Sequence, residues 1–522
     1  MIAVTAAEMR ALDRWTIEHG TPGYVLMERA GAGAARVLRE RLRHPRGAVV
    51  VVCGRGNNGG DGFVIARHLR RARVPVEVWL AARPEDVQGD AARMLAKWRR
   101  LRGTVHPLVA PADVDALCRR LAGAATAVDA LFGTGLNAPV TGLAAAAIEA
   151  MNGCGAPVFA VDIASGLSAD TGMPLGTSVR ATVTATFGHP KVGQLIYPGV
   201  EHTGLLAVVD IGIPPAALAA DGPRTALLEE EEVGRLLAPR PRDAHKGRFG
   251  HVLVIAGSRG KTGAALLAGQ GAARAGADLT TIAVPAPLQP VLEAQVREAM
   301  TASLPDAADD AALDALLDAR SAIVCGPGLG LADETRALVA NVVRRARVPL
   351  VLDADGLNAV AGTDLLRARA GPTIITPHPG EMARLVGSDT GHVQADRLGV
   401  ARALARAEGV VVVLKGARTI IASPDGGAAI SPTGNPGMAS GGTGDVLAGI
   451  VGGLLAQGLA PFDAAVLGVF AHGAAADAVA ARQGEVGLLA GDIAAELPAT
   501  LARVQTSGRP DTPQRRGYRV GA

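Results

Sequence analysis

The segment from Ala48 to Gly62 constrains the fold of this chain more than any other. A β-branched run, Ala48 to Cys53, meets the loop GRGNNGGDG from Gly54 to Gly62, and the helical pattern FVIARHLRRA follows at once. A strand apolar at every residue has to be covered on both faces, which places it inside a parallel sheet with helices on either side. A glycine loop between such a strand and a helix turns main-chain N–H groups and the positive end of the helix toward an anion. Here the loop also carries Asn57, Asn58 and Asp61, whose side chains suit a ribose, an amide or a cation. A plain tight turn would not need a loop of this length and composition.

The same grammar returns along the first half. Thr126 to Asp129 reads as a strand ending in an acid, followed by ALFGTGLNAP with its Gly133-Thr134-Gly135 turn. Pro157 to Asp162 reads as another, followed by IASGLSADTG with Ser165 and Gly166. Val76 to Leu80, a stretch within Ala181 to Gly199, and Leu205 to Pro214 supply further strands, and a polar helical segment ends near Arg102. In an open parallel sheet the carboxyl ends converge on one crevice, so these Asn/Gly and Asp/Gly ends are expected to build one site. A single Asp would serve equally well as a loop cap. Lys191, in a glycine-bounded loop, is expected to be solvated. Ahead of the sheet, Thr5-Ala-Ala-Glu8 has the capping-box pattern for a helix to about His19, and a second helix is expected from about Gly23 to Leu42.

At 522 residues the chain is too long for one ordinary core and implies two domains or more. Hydrophobic residues make up 49% and aromatics only 2%, with 67 Gly and 32 Pro, which suits Ala/Val/Leu-rich α/β layers with many turns. The net charge of +3 is small, and no Lys/Arg block with interleaved aromatics occurs, so neither nucleic acid nor an anionic membrane is indicated. Cys53, Cys118, Cys154 and Cys325 lie far apart with no metal-ligand spacing. Three or four of them are expected inside strands or helices, in a reducing compartment. The N-terminus lacks a signal-type apolar core, and the longest apolar run, after Asp445, is interrupted by Gln457 and Pro461. A soluble cytoplasmic protein, acting as a homo-oligomer, is the expectation.

From Ile213 to about Arg242 the chain has five prolines and an acidic run at 229 to 232, a composition that reads as a domain boundary. The division expected is 1–222 and 223–505, with 506–522 as a tail without an apolar period. Beyond the boundary, strands are expected at His251 to Ser258, Leu279 to Val284, Ala322 to Cys325, Pro349 to Asp353, Thr373 to Thr376 and Val410 to Leu414. Their ends carry GPGLG, DADGLN, TPHPGEMARL and KGART. The stretch GSRGKT at 257–262 is not a P-loop, because Ile255 stands where that motif needs its first glycine. The last of these loops, NPGMASGGTGD from Asn435 to Asp445, opens an apolar helix. Glycines 441, 442 and 444 let the backbone approach an anion, and a carboxylate at that mouth would repel a resting phosphate. Asp445 therefore suits proton removal from a hydroxyl in phosphoryl transfer, although the loop alone reads equally as a helix cap.

In order, GRGNNGGDG, DALFGTGL and VDIASGL resemble the NAD(P)H-hydrate epimerase domain, over about the first 215 residues. That resemblance implies a Rossmann-like three-layer sheet, a hydrated reduced nicotinamide nucleotide (NADH or NADPH hydrate) as substrate, and a potassium ion in the site. Asn57, Asn58, Gly59, Gly60 and Asp61, with Gly133, Thr134, Gly135, Leu136, Asn137, Ala138 and Pro139, would line the nucleotide. Asn58, Asp129 and Ser165 would ligate potassium, and Asp162 would be the acid/base at the reacting carbon. Ala164 stands where that family usually has proline. From roughly 225 to 505 the chain resembles the ribokinase-like superfamily, and closely the ADP- or ATP-dependent NAD(P)H-hydrate dehydratase, which implies a three-layer α/β/α domain. Lys415, Gly416, Ala417, Arg418, Thr419 and Gly444 would then bind ADP with Mg²⁺. Ala264, Gly328, His378 and Asp445 would bind the hydrate, with Asp445 the base that lets its hydroxyl take a phosphoryl group. His378 reads alternatively as a loop-packing residue. Two competing readings remain: a small-molecule kinase of the hydroxyethylthiazole or pyridoxal kind, and a first domain that is only a ligand-binding module.

Overall fold

Every strand expected from the sequence forms in the computed structural model, which describes residues 1–41, 47–219, 222–306 and 309–508. The chain divides into two compact units, Ile2–Thr225 and a second from Ala226 onward. In the first unit the strands are β1 (Val49–Cys53), β2 (Val76–Leu80), β3 (Val105–Pro107), β4 (Thr126–Ala130), β5 (Val158–Val161), β6 (Val183–Phe187) and β7 (Leu205–Val209). They form one sheet in the order β3-β2-β1-β4-β5-β6-β7, parallel throughout. Alternation along β1 explains the three layers. Val49, Val51 and Cys53 enter a core with Phe63, Leu69 and Trp98, while Val50 and Val52 enter the opposite core with Leu117, Ile148 and Met151. The order reverses between β1 and β4, so the crevice for a ligand opens at the carboxyl ends of these two strands.

The second unit contains β8 (His251–Ile255), β9 (Leu279–Pro285), β10 (Met300–Leu304), β11 (Ala322–Cys325), β12 (Leu350–Leu352), β13 (Thr373–Ile375), β14 (Val411–Leu414), β15 (Ile420–Ala422) and β16 (Ala428–Ile430). Their order is β16-β15-β14-β13-β12-β11-β8-β9-β10, parallel except for β15 and β16, which continue the sheet antiparallel. The strand order turns back between β8 and β11, again a ligand crevice. The helix Thr443–Ala456, buried from Val446 to its end, packs against the helix Thr262–Arg274 and the centre of the sheet. Glycines set the spacing of that helix pair: a Cβ on Gly449 would stand 2.0 Å from the Ala268 carbonyl oxygen, and one on Gly453 2.6 Å from that of Ala272. Gly449→Ala must push the two backbones apart. It is expected to cost about 1–3 kcal/mol, seen as a lower melting temperature of this unit.

Several expectations need correction. Pro461 does not simply end the apolar run but starts a new helix, Pro461–Gln483, as proline can at a first helical position. This helix is long and apolar enough to cross a membrane, yet 78% of its apolar window is buried inside the unit, where it packs as a core helix. Thr506 and Ser507, expected to open the tail, belong instead to the helix Ala490–Ser507, and residues 509–522 lie outside the described residues. Only Cys53 and Cys325 are buried; Cys154 is half-buried and Cys118 is exposed, all four being free thiols.

Candidate active sites

In the first unit, Asp162 stands immediately after β5 with φ +65°, a left-handed conformation that costs a non-glycine residue strain and clusters at functional sites. The surroundings hold it there. Its N–H donates to the Ala185 carbonyl at 2.8 Å, and its carbonyl accepts from Gln194 Nε2 at 2.7 Å. Its carboxylate accepts from the Phe187 N–H at 3.1 Å and is ion-paired with Lys191. Lys191 is fully buried, contrary to the solvated position expected. Its ammonium also donates to Thr186 Oγ1 at 2.9 Å and to the Phe187 carbonyl at 3.1 Å. Two more carboxyls share this electrostatic neighbourhood. Burial, then the nearby Asp162 charge, push Asp13 up to about 6 against the opposing pull of Lys191, and the same causes, with Asp13 added, raise Asp61 well above the usual carboxylate range. Asp61 was among the expected residues; Asp13 carries no local sequence signal, because it sits in an ordinary amphipathic helix, Ala6–Glu18.

Beside this pair, β4 delivers Asp129, which is wholly buried. Its carboxylate accepts from Ser165 Oγ at 2.6 Å, from the Ser165 N–H at 2.7 Å and from the Leu131 N–H at 3.2 Å. Burial pushes it up to about 6, partly opposed by those hydrogen bonds, and no Lys or Arg among the described residues pairs with it. Asn58 Nδ2 donates to the Phe132 carbonyl at 3.0 Å, an oxygen that also accepts from Ser165 Oγ at 3.2 Å. Asn58 and Ser165 thus meet at one main-chain carbonyl, and Asp129 joins them through Ser165. That donor set, neutral oxygens plus one buried carboxylate lacking a counter-charge, fits a monovalent hard cation. Gly59 permits the fold here, since a Cβ would meet the Gly54 carbonyl oxygen at 1.8 Å. Gly60 is buried with it, Asn57 is exposed, and Gly133 lies against Asn58. Beyond Gly133 and Thr134 the loop turns outward: Gly135, Asn137, Ala138 and Pro139 are exposed, whereas Leu136 packs under the sheet.

In the second unit, Asp445 occupies the first turn of the helix Thr443–Ala456, whose N-cap Gly442 has φ +91° and no room for a side chain beside Leu267. Thr443 Oγ1 donates to the carbonyls of Met438 and Ser440 at 3.0 and 3.1 Å, tying down the preceding loop. Asp477 accepts from the Gly434 N–H at 3.0 Å and from Asn435 Nδ2 at 2.9 Å. Opposite, Asp353 at the end of β12 accepts from Lys415 Nζ at 2.6 Å and from Thr376 Oγ1 at 2.8 Å. Lys415 Nζ also lies 3.8 Å from Glu381, and a Cβ on Gly444 would come within 3.4 Å of it. Burial would lower the Lys415 ammonium, but Asp353, Glu381 and Asp445 outweigh it and hold it charged. Asp445 is pushed up to about 7, by burial first and then by Asp353, with Lys415 opposing and Asp355 and Glu381 adding to the rise.

Ala264 and Gly328 face one another, a Cβ on Gly328 falling 2.9 Å from that of Ala264. His378 is half exposed and caps the helix Pro379–Val386: its Nδ1 accepts from the Gly380 N–H at 3.0 Å, while its own N–H donates to Glu381 at 2.7 Å. The loop Lys415 to Thr419 leaves β14 with Gly416 and Ala417 exposed. Asp353, Asp355 and Glu381 are the side chains that sequence reasoning left unassigned, although Asp353 is an acid at a strand end like Asp129 and Asp162. Among the described residues no three His, Cys, Asp or Glu side chains form a metal site alone, so Mg²⁺ here would complete its shell with water and phosphate oxygens.

Residues 252–499 match the family described as NAD(P)H-hydrate dehydratase, and residues 23–193 the family described as YjeF-related protein N-terminus. A bifunctional NAD(P)H-hydrate repair enzyme of Moorella thermoacetica is 44% identical over 519 residues, covering 97% of each chain. The Escherichia coli enzyme of the same description is 38% identical, over 91% of this chain and 88% of its own. Among solved structures, the ADP/ATP-dependent NAD(P)H-hydrate dehydratase of Bacillus subtilis, co-crystallised with ATP and Mg²⁺, is 35% identical over 53% of this chain and 98% of its own, with a TM-score of 0.48. With both domains present in order and the identity sustained along nearly the whole length, this chain belongs to the family of bifunctional NAD(P)H-hydrate repair enzymes.

Proposed function

We propose that the first unit interconverts the two epimers of NAD(P)H hydrate and that the second dehydrates the S form to NAD(P)H with ADP, yielding AMP and phosphate. The observation that carries this reading is a carboxylate beside a lysine in each crevice: Asp162, just after a strand, with the buried Lys191, and Asp445, in the first turn of a helix, near the half-buried Lys415. In the first unit the ring nitrogen pushes out the hydroxyl, which leaves as water after taking a proton from the Asp162–Lys191 pair. Water then adds to the opposite face and returns that proton to the pair. Asn58, Asp129, Ser165 and the Phe132 carbonyl would hold a potassium ion, which supplies a fixed positive charge for the phosphate or ribose.

In the second unit Asp445 takes the proton of the hydrate hydroxyl as its oxygen attacks the terminal phosphoryl group of ADP. The N–H groups of residues 442 to 444 stabilise charge on the transferring group, and Lys415 lies on the same side. Phosphate then leaves, driven by the ring nitrogen, and loss of the neighbouring ring proton restores the double bond. Mg²⁺ bound with the nucleotide would supply charge neutralisation for its phosphates. A kinase of the hydroxyethylthiazole type would keep its phosphorylated product, whereas this reading ends in free phosphate and reduced nicotinamide. Incubation of chemically prepared hydrate with ADP or ATP is expected to restore the near-ultraviolet absorbance of NADH in step with phosphate release. A stable phosphorylated hydrate with no recovery of NADH would sink the dehydratase reading.

A further inference from the structure

Arg397 is 4% exposed, yet among the described residues no carboxylate pairs with it. Its guanidinium instead donates to main-chain carbonyls of the β14 end and the loop after it: Nη1 to Ala417 at 2.6 Å, Nη2 to Leu414 at 3.4 Å and to Lys415 at 3.5 Å. Its Nε is buried without a partner. A buried cation satisfied only by carbonyl dipoles is costly unless an anion lies within reach of its field. The loop's conformation shows where that anion would sit. In a planar trans peptide the N–H points opposite to the C=O, so drawing the carbonyls of Lys415 and Ala417 onto Arg397 turns the N–H groups of Gly416 and Arg418 the other way. Both residues have positive φ, +139° and +57°, and the Gly416 carbonyl is held aside by Thr419 Oγ1 at 3.0 Å. Two main-chain N–H groups turned to the same side of such a loop offer donors to an anion.

We propose that Arg397 is a positioning residue that orders the loop Lys415 to Thr419 into a nest for the phosphate chain of the nucleotide, rather than for its base or ribose. The inference rests on the reading of this loop as nucleotide-binding and specifies which part of the nucleotide it takes. Arg397 itself stays behind the loop, touching no ligand. Its field supplies the charge complement and its hydrogen bonds fix the amide directions.

The test uses the full chain with ADP and adenosine as probes. Arg397→Lys and Arg397→Gln are expected to weaken ADP binding in calorimetry at least tenfold, with adenosine binding and the KM for the hydrate unchanged. Folded variants that bind ADP as tightly as the parent, or lose ADP and adenosine alike, overturn the proposal. In the unsubstituted chain, ADP is expected to protect the amides of 416 and 418 from hydrogen exchange while adenosine is not. This arm decides even where the variants fail to fold, since equal protection by adenosine overturns the phosphate nest. Absence of any protection by ADP overturns the underlying nucleotide reading as well, whereas ADP-specific protection with unaltered binding in the variants overturns Arg397's part alone.

Discussion

Asp162→Asn is expected to slow epimerisation by about 10²–10⁴-fold, the range supplied by a positioned acid or base, while S-hydrate is still consumed with ADP at the parent rate. The amide keeps the shape of the carboxylate and can still accept from the Phe187 N–H, which stands 3.1 Å from Oδ1. What it removes is the charge facing Lys191 and the ability to exchange a proton. Chromatographic separation of the two epimers, followed over time with ADP omitted, measures the effect directly. Equal rates of loss of R and S hydrate in the variant with ADP, above spontaneous epimerisation, would show that Asp162 is not the reacting group. The companion change Lys191→Met breaks the same pair from the other side. The lysine is fully buried, and removing one member of a buried pair strands the other, at a cost of about 3–5 kcal/mol. Its melting temperature should therefore fall together with its activity, and so should that of Asp162→Asn, which leaves the fully buried Lys191 ammonium facing a neutral amide.

The contrast between these two residues shows what could be read before the fold was known. Asp162 was legible because a β-branched run ended in it and glycines followed, a pattern whose position at the carboxyl edge of a sheet follows from topology alone. Lys191 carried the same information in weaker form. Its loop also follows a strand, but a lysine between glycines is most often solvated, and only packing of the Val4 and Gly172 segments around residues 191 to 193 closes the site over it. Asp13 was illegible, since an acid in a capped amphipathic helix looks like any exposed acid until that helix is docked. The short strands Met300–Leu304, Ile420–Ala422 and Ala428–Ile430 escaped for a related reason: they lie towards the margins of the sheet, where three to five residues give too little period to register. Arg397 belongs to the same class, its role being visible only through the three carbonyls it gathers from residues far along the chain.

Asp445→Asn is expected to lower dehydration by a comparable or larger factor at every pH, because no other described carboxyl sits in the first turn of that helix. In the unsubstituted enzyme the base is the ionised carboxylate. With Asp445 pushed up to about 7 by burial and by Asp353, kcat/KM for the hydrate should fall about tenfold per pH unit below that value and level off above it. A flat profile from pH 5 to 8 would assign the proton transfer elsewhere. The same shift makes a claim about stability, with its own sign. The folded-state pKa lies above the unfolded one, so between the two the native state holds the extra proton, and stability falls as pH rises through this window. Above about 7 the native fold carries an ionised Asp445 facing Asp353, Asp355 and Glu381, with Lys415 as its main compensation. Asn at this position removes that repulsion, so the inactive variant should melt higher than the parent at pH 8, and the gap should close toward pH 5. A site evolved only to stay folded would not keep such a carboxylate. Its position beside a helix N-terminus and the half-buried Lys415 is what a base for a phosphate-accepting hydroxyl requires, and the opposite signs expected for activity and stability separate that role from a helix cap. Loss of a cap would lower both.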